Sequence, residues 1–246
     1  VSRAASPRER STLAEHAVVA TGDEQADLFA RADQMLVDEL ARTPSPDRPA
    51  LLEAQRTVVL GLRVESRCWP ARVFADEAPL REQASEELQP AIDELQHREA
   101  RVAGWAAGAN RPARMTPAEL KGWLAEVRWW LARLLLWRAE LTTGQDRSSD
   151  VIDAETAARK LAGDDDDLAV TARVMLASCQ RFRGDAARAA EILNALETAD
   201  PPPSPFAADA IAVERVRLAL DRQRPDDAVQ VAVAYRSRTQ RWPGEL

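Results

Sequence analysis

Apolar residues recur every three or four positions along most of the chain. No stretch sustains alternation with period two, so the pattern predicts helices and no strands. After a polar lead-in over residues 1–7, a first helix is expected from Pro7 to Ala20, with Leu13, Ala17 and Ala20 on one stripe. Thr21-Gly22-Asp23 reads as a turn with a cap. A second helix, Glu24 to Arg42, carries Leu28, Phe29, Ala32, Leu36 and Leu40 at helical spacing. Thr43-Pro44-Ser45-Pro46 breaks it, because proline lacks the amide donor and restricts the residue before it. A third helix is expected from Pro49 to about Trp69, ended by Pro70, with a connection over residues 70–78.

Pro79 to Trp105 reads as helical, with Leu88, Leu95 and Val102 seven residues apart. Too few clean heptads and an interior Pro90 favour a kinked helical hairpin over a coiled coil. Gly104 to Pro117 is the longest expected loop. Thr116 then caps a helix whose first residue is Pro117 and whose end is near Thr143. Leu120, Trp123, Leu124, Val127, Trp130, Leu131, Leu134 and Leu141 form one apolar face of that helix. Trp129, Ala132 and Leu136 form a second, so it should be packed on two sides. Arg128, Arg133 and Arg138 interrupt the apolar run, leaving no stretch of about 18 uncharged apolar residues that would span a membrane.

Gly144 to Ser149 is polar and reads as a loop before a short helix, Asp150 to Ala162. Asp164 to Asp167 lack the alternating ligands, glycine turn and late glutamate of a calcium loop. They suit the start of the next helix, whose dipole they complement. Two helical pairs close the chain: Leu168 to Arg183 with Ala186 to Glu197, and Phe206 to Gln223 with Pro225 to about Arg241. A stiff proline-rich spacer from Pro201 to Pro205 lies between them.

The stretch Leu168 to Pro201 resembles a tetratricopeptide repeat, a helical hairpin of about 34 residues. The positions that carry the likeness are Leu176, Ala177, Gly184, Asp185, Ala189, Leu193 and Pro201. Small side chains at Ala177 and Ala189 would let two helices cross closely. Gly184 would take the left-handed conformation that ends a helix. Gln180 stands where the motif has an aromatic, and Leu196 where it has a small residue. Ala228 takes the crossing position in the last pair, while residues 50–106 depart from the pattern.

The expected fold is therefore all-α, a right-handed array of antiparallel helical hairpins that is irregular in its N-terminal half. Residues 1–106 would hold weakly similar hairpins and 117–246 the repeats, within one continuous solenoid. The resemblance implies a groove lined by the first helix of each pair. In the best unit that places Val174, Ser178, Arg181 and Phe182 in the groove; in the last pair, Val213, Arg217 and Leu220; across Gly144, Leu134, Arg138 and Leu141. Arg138, Arg181 and Arg217 could then face one channel and hold carboxylates in bidentate fashion.

Composition narrows the partner. Net charge is −7 with a pI near 5.1, which disfavours nucleic acid. All but two of the 33 basic residues are arginine, the exceptions being Lys121 and Lys160. Cys68 and Cys179 fall inside apolar helical patterns and read as small buried residues. His16 and His97 have no metal-spaced partner, and no nucleophile or phosphate-loop motif is present. Val1 to Arg10 has no signal-peptide pattern, and the compartment is left open. The expected function is a non-catalytic scaffold for a protein or peptide segment, with no cofactor or metal; the arginines of the groove would suit an acidic segment. A sensory or regulatory arm of a larger regulator, and the helical body of a glycan-cleaving enzyme, are the alternatives.

Overall fold

The computed structural model describes residues 17, 20, 22–42, 48–74, 77–142, 144–162 and 167–243. The polar lead-in and most of the first expected helix lie outside these residues, as do three of the four consecutive aspartates. Nine helices follow among the described residues, and no strand: α1 Gly22–Ala41, α2 Pro49–Val73, α3 Ala78–Ala106, α4 Pro117–Leu141, α5 Gly144–Arg159, α6 Asp167–Phe182, α7 Ala186–Glu197, α8 Pro205–Asp221 and α9 Pro225–Thr239. None of them is long and apolar enough to cross a membrane.

The chain forms two compact units, Val1–Leu141 and Thr142–Leu246. The sequence places a boundary at the 107–116 loop, but α4 packs against both α2 and α3 and so belongs with the N-terminal helices. Its two apolar faces are the cause: Trp123, Trp130, Leu134 and Trp137 are all buried, as are Trp129 and Ala132. Gly61 of α2 makes the α2–α4 crossing close, for a Cβ there would stand 2.1 Å from the Trp130 ring. A reciprocal capping box starts α4. The Thr116 amide donates to Glu119 Oε2 at 3.1 Å, and the Glu119 amide to Thr116 Oγ1 at 3.2 Å.

Three local expectations are corrected. Pro70 does not end α2, which runs one further turn to Val73. Proline tolerates helical φ, and the Pro70 carbonyl accepts the bond from the Phe74 amide at 2.9 Å. Residues 78–106 are a single continuous helix rather than a hairpin. Pro90 lies on its exposed face, where the carbonyl freed by the missing amide can be solvated. Residues 144–149 are the first turns of α5, not a loop. Their polarity reflects exposure, since burial in α5 begins only at Asp150.

In the second unit, α6 packs against α5, α7 and α8, and α8 also against α7 and α9. The α6–α7 turn closes with bonds from the Gly184 amide to the Arg181 carbonyl and from the Asp185 amide to the Gln180 carbonyl, both 2.9 Å. Gly184 has φ of +80°, and the Asp185 side chain caps α7 by accepting from the Arg188 amide at 2.9 Å. The α8–α9 turn has the same two bonds, Gln223 amide to Leu220 carbonyl and Arg224 amide to Ala219 carbonyl, with Gln223 at φ +58°.

Candidate functional site

In the second unit, charged and aromatic side chains converge across α5, α6 and α8. Phe182 ends α6, and two guanidiniums lie against its ring, Arg181 at 4.3 Å and Arg147 of α5 at 5.9 Å. Arg181 Nε donates to Glu214 Oε1 at 2.6 Å, and its NH1 to Asp221 Oδ2 at 2.7 Å. Both acids come from α8. Arg217, one turn along α8, lies 3.8 Å from the same Glu214. The side chains of Arg181 and Glu214 are only 4% and 2% exposed, whereas Asp221 is 53% exposed. The strip therefore has a dry ion pair at its centre and partly wet groups around it.

A second carboxylate adjoins α6. Glu155 of α5 is held by Arg159 at 2.6 Å and by Arg183. Burial raises its pKa, but the hydrogen bonds and charges of Arg183 and Arg159 outweigh burial and hold it below the ordinary glutamate range. Glu155 thereby ties the C-terminal half of α5 to the turn that follows α6.

Of the groove positions expected in α6, Phe182 is half-buried and borders the strip. Val174, Ser178 and Arg181 are buried, so they do not line an open groove. The reason is α8, which lies along this stripe. Val174 joins Ala177, Ala189, Leu193, Leu196, Ile211 and Leu218 in one apolar cluster. Ser178 Oγ donates to the Val174 carbonyl at 3.3 Å, and Arg181 is engaged by α8. Val213 and Arg217 are half-buried and Leu220 is exposed. Arg138 lies in the first unit and donates to Gln89; Leu134 beside it is wholly buried and Leu141 half-buried.

Ala177 and Ala189 are fully buried and Ala228 nearly so, Leu176 is half-buried, and Pro201 is exposed. Leu196, where the motif has a small residue, is buried in the α6–α8 cluster and fills that space. Cys68 and Cys179 are buried free thiols. Burial chiefly pushes both pKa values up, Cys179 to about 12, so neither is a thiolate at neutral pH. His97 is exposed and bonded through Nδ1 to the Asp93 carbonyl oxygen at 2.7 Å. Among the described residues, no three of His, Cys, Asp or Glu converge as a metal ion requires.

Sequence reasoning missed two buried polar networks in the first unit. Glu65 accepts from Arg133 Nε and from Trp137 Nε1, both at 2.9 Å. Thr57, wholly buried, accepts from Arg98 at 3.2 Å and Trp123 Nε1 at 3.3 Å. A charge set inside an apolar stripe is the only trace such a network leaves in sequence, as with Glu65 beside Val64 and Cys68.

Comparison with protein-family models, with curated proteins and with solved structures finds no match.

Proposed function

We propose that this chain is a non-catalytic scaffold built from helical hairpins similar to tetratricopeptide repeats. It holds a protein or peptide segment against the strip of Arg147, Phe182 and Arg217. The observation that carries this reading is that the two C-terminal hairpins are built to one plan. Gly184 and Gln223 occupy the same left-handed turn position, and Ala189 and Ala228 follow each at the same spacing as buried small residues. First helix packs on first helix, α6 on α8, as in a stack. Such stacking brings the ends of successive first helices side by side, and there Phe182 offers an aromatic anchor with cationic neighbours.

Peptide-display selection against the immobilised protein tests this. Enriched peptides should bind the wild type and lose about tenfold or more in affinity on Phe182→Ala or Arg217→Ala, the loss expected for aromatic and arginine anchors. If selection enriches nothing, or the enriched peptides tolerate both substitutions in a folded protein, the reading is wrong.

A further inference from the structure

Among the described residues, many arginines are paired with the chain's own carboxylates, as Arg56 with Asp33, Arg128 with Glu99 and Arg215 with Glu197. The tip between α3 and α4 is different. From residue 100 to residue 118 the sequence has Arg101, Arg111 and Arg114 and no acid. All three side chains are exposed. Arg111 and Arg114 make no hydrogen bond or ion pair among the described residues, and Arg101 stacks over Trp105 at 5.4 Å.

The two flanking acids are already engaged. Glu99 accepts from Arg128 at 2.9 Å. Glu119 closes the capping box with Thr116 and has Arg48, itself 70% exposed, at 3.7 Å. The tip is also folded rather than splayed. The Gly108 and Ala109 amides return to Trp105 and Gly104, and the Met115 amide closes a turn on Pro112 at 3.0 Å. Unneutralised guanidiniums on a fixed turn form a positive surface on a chain whose net charge is −7.

We infer that the α3–α4 tip is a docking surface for an acidic segment of a partner protein, recognised by Arg101, Arg111 and Arg114. Guanidinium forks match carboxylates, and a short Asp/Glu-rich segment needs only a local positive field. A long polyanion such as nucleic acid would instead meet the repulsion of the whole acidic chain. A membrane surface is disfavoured because no large apolar side chain is exposed anywhere from residue 77 to residue 142. This surface belongs to the first unit and the α5–α6–α8 strip to the second, and the inference does not rest on the strip.

The test is fluorescence anisotropy with a labelled oligoglutamate peptide of about eight residues, titrated with the full chain. Binding should weaken as salt rises from about 0.05 to 0.3 M. It should fall about tenfold or more in Arg111→Glu/Arg114→Glu, whose sites lie on an exposed loop. The control is Arg188→Glu/Arg224→Glu, which makes the same charge change at exposed positions of the second unit and should stay within about twofold of wild type. No binding to the wild type, or equal loss in the control, overturns the inference. Tighter binding of single-stranded RNA or of phosphatidylserine vesicles than of the peptide overturns the partner class. None of these results bears on Phe182 or Arg217, so the proposed function is judged separately.

Discussion

Replacing Gly61 or Gly122 with alanine makes the same chemical change inside two helices with opposite expected results. Alanine in a helix interior gains about 1 kcal/mol over glycine. At Gly122 of α4 that gain stands unopposed, because nothing lies within 4 Å of the position a Cβ would take. At Gly61 the new carbon would sit 2.1 Å from Trp130 Cδ2 and Cε3 and 2.6 Å from Cε2. Carbon atoms pack at about 3.5–4.0 Å, so the ring would have to move by more than about 1 Å. Trp130 is 4% exposed and set edge-on to Trp129 at 4.8 Å, which leaves it little room. Overpacking of this kind costs about 1–3 kcal/mol or more. The propensity gain is common to both variants, so the gap between them isolates the clash. At roughly 2–4 °C per kcal/mol for a chain of this size, calorimetry should place Gly61→Ala roughly 2–12 °C below Gly122→Ala. Gly61→Ala should also stabilise a Trp130→Leu background, where the ring is gone. If the two alanine variants melt together, α2 and α4 do not cross at Gly61.

Arg181→Met should destabilise the second unit by about 3–5 kcal/mol, because Glu214 is left charged and buried. Adding Glu214→Leu should recover most of that loss in urea denaturation; no recovery would mean the pair is not the buried contact described. Glu155→Gln should lower stability at pH 7 by removing the carboxylate that binds Arg159 and Arg183. The folded pKa of Glu155 lies below the unfolded value of about 4.3, so its contribution is full above about pH 5 and fades as pH falls through the folded pKa. Melting curves of wild type and variant should therefore converge at low pH, and a gap independent of pH would refute the assignment.

Signals that act within five residues were legible in the sequence. Thr116-Pro117 starts α4, Gly184-Asp185 ends α6 and caps α7, and the apolar stripes mark every described helix. Each depends on a backbone bond or a periodicity confined to one segment, so no knowledge of distant residues is needed. The same local signals overstate the breaks at Pro70 and at residues 144–149. A proline and a polar run read as breaks there, where the structure continues or begins the helix.

The candidate site was legible only in part. Phe182 and Arg217 lie beside the strip, but the repeat resemblance also assigns Arg181 to a ligand, whereas α8 engages it with Glu214 and Asp221. Those acids lie 33 and 40 residues away in sequence, and no periodicity links them to Arg181. Glu65 with Arg133, Gly61 with Trp130, and the assignment of α4 to the N-terminal unit have the same origin. The sequence by itself determined that these segments are helical and how α4 and α7 begin, because those choices are made by neighbouring backbone groups. Only the tertiary structure decided which arginines are consumed internally and which, like Arg111 and Arg114, have no ion pair among the described residues. An ion pair forms where packing brings two helices together, and chain separation does not encode that.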